Sequence, residues 1–490
     1  MMLQASPSST SISVVSTAGG LASAITTAWG NLSTVTNLIV TGTIDARDFK
    51  TMRDDMPALT DIDLSGANVA AYDYDGANVL PYEAFTAKSN LVSIILPNTI
   101  NTIGMETFKD CTSLTSFSIP NSVTYIGEWA FIDCTGLKTI TIPSQVTSID
   151  YGAFEGCTGL TSVTFSNPST ITERYAFAGC TGLTSLVIPI SLHAEDFAGC
   201  TNLKSVELLT TDYIAVDVFL GCPSLNEILI SSNKITIGSF SGVQFYNAEN
   251  ETVKVSAQTS EIINPFGLKC LGSWFDVDVA NPSYTSQDGV FFNKSKSELI
   301  ACPNSKKGTY EISSSVTKIS SGAFTNCVSL TSITIPASVT SIGDTAFNYC
   351  YGLKKIYSYA TTPQILPLTN GYYWKHVFVG VDTTRCILYV PKGSKAAYKA
   401  ADQWRSFQII EEFDPAASVN NASLSNIKAS IQNGQLVLTG IEGNPTVTVY
   451  NMQGMSLCKQ KVKEDNIVIN LPAHGVYVVQ VGAQSMKVVY

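Results

Sequence analysis

Along most of the chain, short alternating apolar and polar runs recur at a fixed interval. After Leu137 the apolar positions are Ile140 and Ile142, with Thr139 and Thr141 between them and Pro143 next. Period two predicts a short strand with one buried face, ending where proline cannot donate the next ladder hydrogen bond. Pro97, Pro120, Pro189 and Pro336 close the corresponding runs. Six residues before each such leucine stands a phenylalanine, and midway between them a cysteine. The phenylalanines are Phe108, Phe131, Phe154, Phe177, Phe197, Phe219, Phe324 and Phe347, followed by Cys111, Cys134, Cys157, Cys180, Cys200, Cys222, Cys327 and Cys350. The first four cysteines are evenly spaced, Cys200 and Cys222 follow at slightly shorter intervals, and the last pair restores the original spacing. A further copy, Phe85 to Leu91, carries Lys88 in the cysteine place, and Leu59, Ile62 and Leu64 form a more degenerate one. A unit of roughly 23 residues cannot bury its apolar face alone, so the repeat predicts a β-rich solenoid. Strands about 4.8 Å apart would stack a dozen coils into a rod of roughly 60 Å.

An open stack needs covers at both ends. Within residues 1–35, Leu21, Ala24, Ile25, Ala28 and Trp29 fall at helical spacing and predict an apolar stripe over the first coil. At the far end, Tyr389 to Ser394 leads into a short helix over 395–401, with Ser394 as N-cap and Trp404 behind it. The solenoid is thereby placed at 36–411. Its pattern lapses at about 240–275, which an irregular insertion or divergent coils would both explain. Residues 412–421, containing Asp414-Pro415 and Asn420-Asn421, read as a linker. In 422–490 the period is gone. Leu436 to Leu438, Val447 to Tyr450, Ile467 to Ile469 and Tyr477 to Val481 alternate as strands between Gly-containing turns, predicting a small β-sandwich.

The stretch from Ala130 to Pro143 resembles, at every informative position, the unit Ala-Phe-x-x-Cys-x-x-Leu-x-x-Ile-x-Ile-Pro of BspA-like (Treponema-type) leucine-rich-repeat bacterial surface proteins. Asn281 to Tyr284, Asp288 to Phe291 and Leu299 to Pro303 resemble the longer variant coil of that family. The resemblance implies a non-enzymatic adhesin at the cell surface or outside the cell. Its implied partners are host matrix glycoproteins or other surface proteins, with glycan binding for polysaccharide capture as the alternative. Asn444 to Gly454, Leu471 and Gly475 to Val479 resemble the C-terminal sorting domains of Bacteroidetes secretion systems, which direct export and surface attachment. This copy ends Lys487-Val488-Val489-Tyr490, without the basic final residue those domains often carry, so a sorting role and a structural one are both open. Met1 to Pro7 lacks the basic and apolar regions of a signal peptide, and export is therefore expected from the resemblance alone.

Composition narrows the chemistry. Charged residues make up 14% against 45% hydrophobic, too apolar for a disordered chain, yet no run of 18 apolar residues would penetrate a membrane. Lys plus Arg at 29 against Asp plus Glu at 39 leaves a net charge of −10, which argues against nucleic acid as a partner. Only His193, His376 and His474 could serve imidazole chemistry, and no nucleophile elbow, dinucleotide loop or phosphate loop occurs, so neither an enzyme nor a cofactor is expected. The cysteines share one inward slot and read as buried free thiols rather than disulfides or zinc ligands. Two outward columns remain as the candidate binding surface. They are Ser116, Thr139, Ser162, Ser185, Ser205 and Glu227, then Ser118, Thr141, Thr164, Val187, Glu207 and Leu229. Short hydroxyls offer hydrogen bonds at low ordering cost, although they also serve simply to keep strands soluble. Tyr372, Tyr373 and Trp374 form the densest aromatic group, suited either to an interface anchor or to packing of their own loop.

Overall fold

The computed structural model describes residues 10–210, 213–215, 217–237, 252–263, 274–367, 376–414, 427–432, 435–441, 445–451, 456–462, 466–471, 475–481 and 484–489. The repeat units are coils with three bonded sides. On the first, strands such as Thr139–Ile142 and Ser162–Phe165 pair in parallel, with Thr139 opposite Ser162 and Thr141 opposite Thr164. The second side is a parallel sheet of two-residue strands, Thr102–Ile103, Tyr125–Ile126, Ser148–Ile149 and Ile171–Thr172 among them. The third is the phenylalanine turn, where Phe131 N–H donates to Ala153 O at 2.7 Å and Asp133 N–H to Glu155 O at 2.8 Å. That turn requires a positive φ two residues after the phenylalanine. Asp133 (57°), Gly156 (71°), Gly179 (69°) and Asn326 (65°) supply it, residue types that tolerate the left-handed region.

Inside, the phenylalanines stack along the axis. Ring centroids of Phe131, Phe154 and Phe177 are 4.9 and 5.0 Å apart with planes within 2° of parallel. The cysteine row does more than fill space. Cys134 Sγ–H donates to Phe108 O of the preceding coil at 3.0 Å, Cys157 to Phe131 O at 3.1 Å and Cys350 to Phe324 O at 3.0 Å. The phenylalanine carbonyl, which already accepts from the cysteine N–H of its own coil, as Phe131 O does from Cys134 N–H at 3.1 Å, thereby gains a second donor from a side chain small enough to pass between two apolar columns. All cysteines among the described residues are free, and all but Cys458 are buried. Burial pushes the Cys111 and Cys180 thiols up to about 12. Lys88, in the cysteine place of its coil, is likewise buried, and its Nζ donates to the carbonyls of Met56 and Arg53.

The N-terminal cover is more than a helix. A strand, β1 (Ser11–Ser16), pairs in parallel with β2 (Asn37–Ile44), and α1 (Leu21–Ala28) lies between them in the chain. Leu21 and Ile25 are buried, whereas Ala28 is exposed and Trp29 is 52% exposed, so the apolar stripe is narrower than the spacing predicts. The helix start is held by buried Asp48 of α2 (Ala46–Asp54), which accepts from Gly19 N–H and Leu21 N–H at 2.8 and 2.9 Å.

The described residues within 240–275 continue the stack. Thr252–Val255 pairs in parallel with both Glu227–Ile230 and Trp274–Val277, and Glu261–Ile263 pairs with Lys234–Ile237. At the variant coil, Tyr284–Gln287 and Val290–Asn293 form an antiparallel hairpin that divides the core. Phe291 joins the N-terminal part of the core, and Val290 and Phe292 join the C-terminal part. The closing strand Ile409–Phe413 pairs with Ile387–Pro391 and so continues past 411. Before it, α3 (Lys395–Ala400) buries Tyr398, and buried Trp404 donates from Nε1 to Gln364 O at 3.0 Å. The Ser394 side chain makes no capping bond. Glu412 Oε1 takes that role, accepting from Gly393 N–H at 3.0 Å and Lys395 N–H at 2.9 Å.

The C-terminal region is a pair of antiparallel sheets, three- and four-stranded, sharing a core that includes Leu436, Leu438, Val447, Val449 and Val479. Three of its strands escape the alternation rule: Lys428–Gln432, Ser456–Lys461 and Gln484–Val489. Each is an edge strand, where polar side chains are tolerated on both faces.

Candidate binding faces

Parallel pairing without a register shift turns outward residues into columns. Ser185 stands opposite Ser205, Ser205 opposite Glu227, Glu227 opposite Thr252 and Thr252 opposite Trp274. Thr139 and Ser162 form the same row one break earlier, since the sheet is interrupted between Ser162–Phe165 and Ser185–Ile188. Ser116 and Ser118 lie in a segment that is not a strand but is hydrogen-bonded on both sides, through Thr115 N–H to Val92 O and Lys138 N–H to Thr115 O, each 3.3 Å. Ser116, Thr139, Ser162 and Ser185 are exposed, while Ser205 and Glu227 are half-buried. Glu227 is ion-paired to Lys254 at 2.6 Å, and Glu207 accepts from Ser231 Oγ at 2.7 Å. The face therefore passes from neutral hydroxyls to paired charges toward its C-terminal end. Tyr372, Tyr373 and Trp374 lie outside the described residues.

Sequence reasoning missed a second aromatic group on this type of face. Thr334, Tyr357, Tyr389 and Glu411 are consecutive partners in the sheet of the last coils, with Glu311 opposite Thr334. The rings of Tyr357 and Tyr389 stack at 4.5 Å, and Phe413 meets Tyr359 edge-on at 4.9 Å and Tyr357 at 6.0 Å. Burial, with Glu311 and Tyr357 near Tyr359 and with Tyr357 and Glu411 near Tyr389, raises both hydroxyls above the usual tyrosine range. Aligning Lys355-Ile356-Tyr357 with Ile387-Leu388-Tyr389 by their inward isoleucine and leucine would have found the pair. The longer coil between them, which contains 368–375, hid it.

The described residues contain no group of three or more His, Cys, Asp or Glu side chains placed to hold a metal ion. No helix among them is long and apolar enough to cross a membrane. His193 is half-buried beside Tyr213, with its backbone N–H donating to Asp196 Oδ2 at 2.8 Å. Among the described residues the one strongly shifted carboxyl is buried Asp196, raised to about 8 by desolvation. Its partners, Thr172 Oγ1 and the His193 N–H, belong to the coil framework, which makes its place structural.

Stacked coils, each with a sheet strand, a short return strand and a phenylalanine turn, around a leucine, phenylalanine and isoleucine core define a leucine-rich-repeat solenoid. Six copies of the BspA type leucine rich repeat region match, over residues 78–194, 190–307 and 301–365, and the chain belongs to this family. Among solved structures, a leucine-rich repeat protein from Bacteroides ovatus is 21% identical, with 74% of this chain and 86% of that one covered at a TM-score of 0.38. A leucine rich cell surface protein from Faecalibacterium prausnitzii is 22% identical, with 66% and 85% covered at 0.34. The pneumococcal vaccine antigen PcpA is 17% identical, with 65% and 93% covered at 0.28. No curated protein matches the chain.

Proposed function

We propose that this protein is a non-enzymatic binding protein, at the cell surface or secreted, that recognises another macromolecule across several coils of its solenoid. The observation that carries this reading is the register of the outward columns, which sets Ser185, Ser205, Glu227 and Thr252 side by side on successive coils. Single hydroxyl contacts contribute only about 1 kcal/mol each, so a useful affinity requires a partner that spans many of them. The partner class is a surface protein such as a matrix glycoprotein. Family membership supports binding in general and leaves the ligand to be found by experiment. A surface-resonance panel of matrix glycoproteins and polysaccharides tests the reading, with wild type compared with the triple variant Ser162→Lys, Ser185→Lys and Ser205→Lys. Loss of binding beyond that of any single change supports it, and undiminished binding moves the site elsewhere.

A second reading, polysaccharide capture, is favoured by the Tyr357, Tyr389 and Phe413 group, because aromatic rings beside carboxylates suit sugars. Tyr389→Ala would then abolish glycan retention while leaving protein binding intact.

A further inference from the structure

Away from the sheet face, on the phenylalanine turn, a second row of residues has positive φ. It includes Glu106 (52°), Trp129 (52°), Gly152 (57°), Tyr175 (62°), Glu195 (63°) and Gly322 (65°). Glycine satisfies this position at 152 and 322, so the fold itself does not ask for an aromatic side chain there. Trp129 and Tyr175 nevertheless occupy it, in a conformation unfavourable for any bulky L residue. Their side chains are half-buried, outside the stacked phenylalanine column.

Tyr151, contributed by the coil between them, joins the two rings. Trp129 and Tyr151 meet edge-on at 5.9 Å, and Tyr151 and Tyr175 at 5.4 Å. Gly152 makes room for the indole, since a Cβ there would fall 2.6 Å from Trp129 Cδ1. The result is an aromatic ridge crossing three coils. In the chain, Glu128, Asp150 and Glu173 precede these aromatic positions, and Asp133 and Glu155 follow them. Among the described residues none of these five carboxylates is in an ion pair. Burial raises both the Asp133 and the Glu155 carboxyls, with Asp110 adding to it at Asp133 against an opposing Lys109, and Asp133 adding to it at Glu155.

We propose that the ridge of Trp129, Tyr151 and Tyr175, with its flanking carboxylates, docks a segment of another protein carrying arginine or lysine side chains. The molecule already contains one such contact. The Arg174 guanidinium sits 5.3 Å from the centre of the Tyr175 ring and pairs with Glu195 at 3.1 Å. A partner's cations on Trp129 and Tyr151 would repeat that arrangement, each with an aromatic ring and a carboxylate as partners. A neutral sugar would stack on the rings but leave the carboxylates without countercharge, and a polyanion would be repelled. This surface lies on a different side of the coils from the serine and threonine columns.

Calorimetric titration of the full chain tests it with three probes: a twelve-residue peptide of alternating Arg and Ser, the same peptide with Gln for Arg, and cellohexaose. The expected result is saturable binding of the arginine peptide alone, weakened tenfold or more in Trp129→Gly and in Tyr151→Ser. Thr26→Ala, on the exposed side of α1 and outside both surfaces, should leave that binding unchanged. Glycine is compatible with the backbone at 129, so Trp129→Gly should keep the wild-type thermal midpoint or raise it. Tyr151→Ser, at a position of ordinary φ, covers the case in which it does not. Equal peptide affinity in both ring variants would overturn the proposal by reducing the attraction to net charge. Binding of cellohexaose in place of the peptide would overturn it in favour of a glycan site.

Discussion

The coils between Cys111 and Cys180 repeat at one constant length, and the one ending at Cys200 is shorter. Comparing them separates what the stack requires from what it merely permits. Between the sheet strand and the return strand, the path from Phe165 to Thr172 becomes the shorter path from Ile188 to Leu192. Both parallel sheets break there, and the return strand shrinks to a single bridge between Leu192 and Ile214. The third side passes through intact. Phe177 and Phe197 still stack at 5.3 Å, Cys200 still donates to Phe177 O at 3.4 Å, and Phe177 N–H still reaches Asp196 O at 2.8 Å. Where regular coils place isoleucine and alanine, here Thr172 and Asp196 share a 2.5 Å hydrogen bond in the core, and Asp196 also receives the His193 N–H. A buried polar pair thus replaces the bonds that the missing residues would have made. Across this shortened coil the phenylalanine and cysteine rows are kept, and the sheets are the part that adjusts.

The largest expected effect lies in the regular array. Leu160→Ala should destabilise the protein by about 2–5 kcal/mol in denaturant titration, and Leu183→Ala, beside the break, by the lower end of that range. A change below about 0.5 kcal/mol at Leu160 would break the coil register itself. Next comes pH. Asp196 in the native state titrates at about 8 against an ordinary value of 3.8. The folded form therefore holds a proton that the unfolded chain releases between those values. Stability contributed by this site is complete below about pH 4 and falls as pH rises toward about 8, by up to about 1.4 kcal/mol per unit. Asp196→Asn should flatten that slope in thermal melts across pH 5 to 8, and an unchanged slope would place the titration elsewhere. Third, Cys157→Val removes the Sγ–H donor to Phe131 O and adds a methyl group to the slot, for a loss of about 1 kcal/mol or more. No loss would return the cysteine row to a packing role alone. The smallest stability effect belongs to the triple change of Ser162, Ser185 and Ser205 to Lys, which should stay within about 0.5 kcal/mol while binding falls.

Much of this architecture was legible because a solenoid writes its core into the sequence once per coil. Phe154, Cys157, Leu160 and the strand after them need no tertiary information to be aligned. The outward columns follow from the same register. What stayed hidden depends on neighbours far apart in the chain. Tyr357 and Tyr389 are separated by more than an ordinary repeat and become adjacent only when a longer coil is laid over its predecessor. The Trp129 ridge depends on a backbone conformation that no alternation reveals. The thiol's role as a donor was also out of reach, since apolar packing alone would place a small residue in the same slot. Of the edge strands of the C-terminal region, Asn466–Asn470 alternates, whereas the sequences of Lys428–Gln432, Ser456–Lys461 and Gln484–Val489 carry too little apolar periodicity to be counted.

The row of S–H donors also has a consequence in time. Disulfide exchange and oxidation proceed through the thiolate, and the native coils hold thiols such as Cys111 and Cys180 at about 12, with their protons committed to a neighbouring carbonyl. Once stacked, these sulfurs are inert. Before stacking, the same chain presents a thiol of ordinary acidity once per repeat through its most regular stretch. Each coil laid on the last removes one reactive group from solution. For these buried repeat thiols the hazard in an oxidising compartment is therefore confined to the interval between translation and stacking, and an arrested chain, rather than the stacked coils, is the species that would cross-link through them.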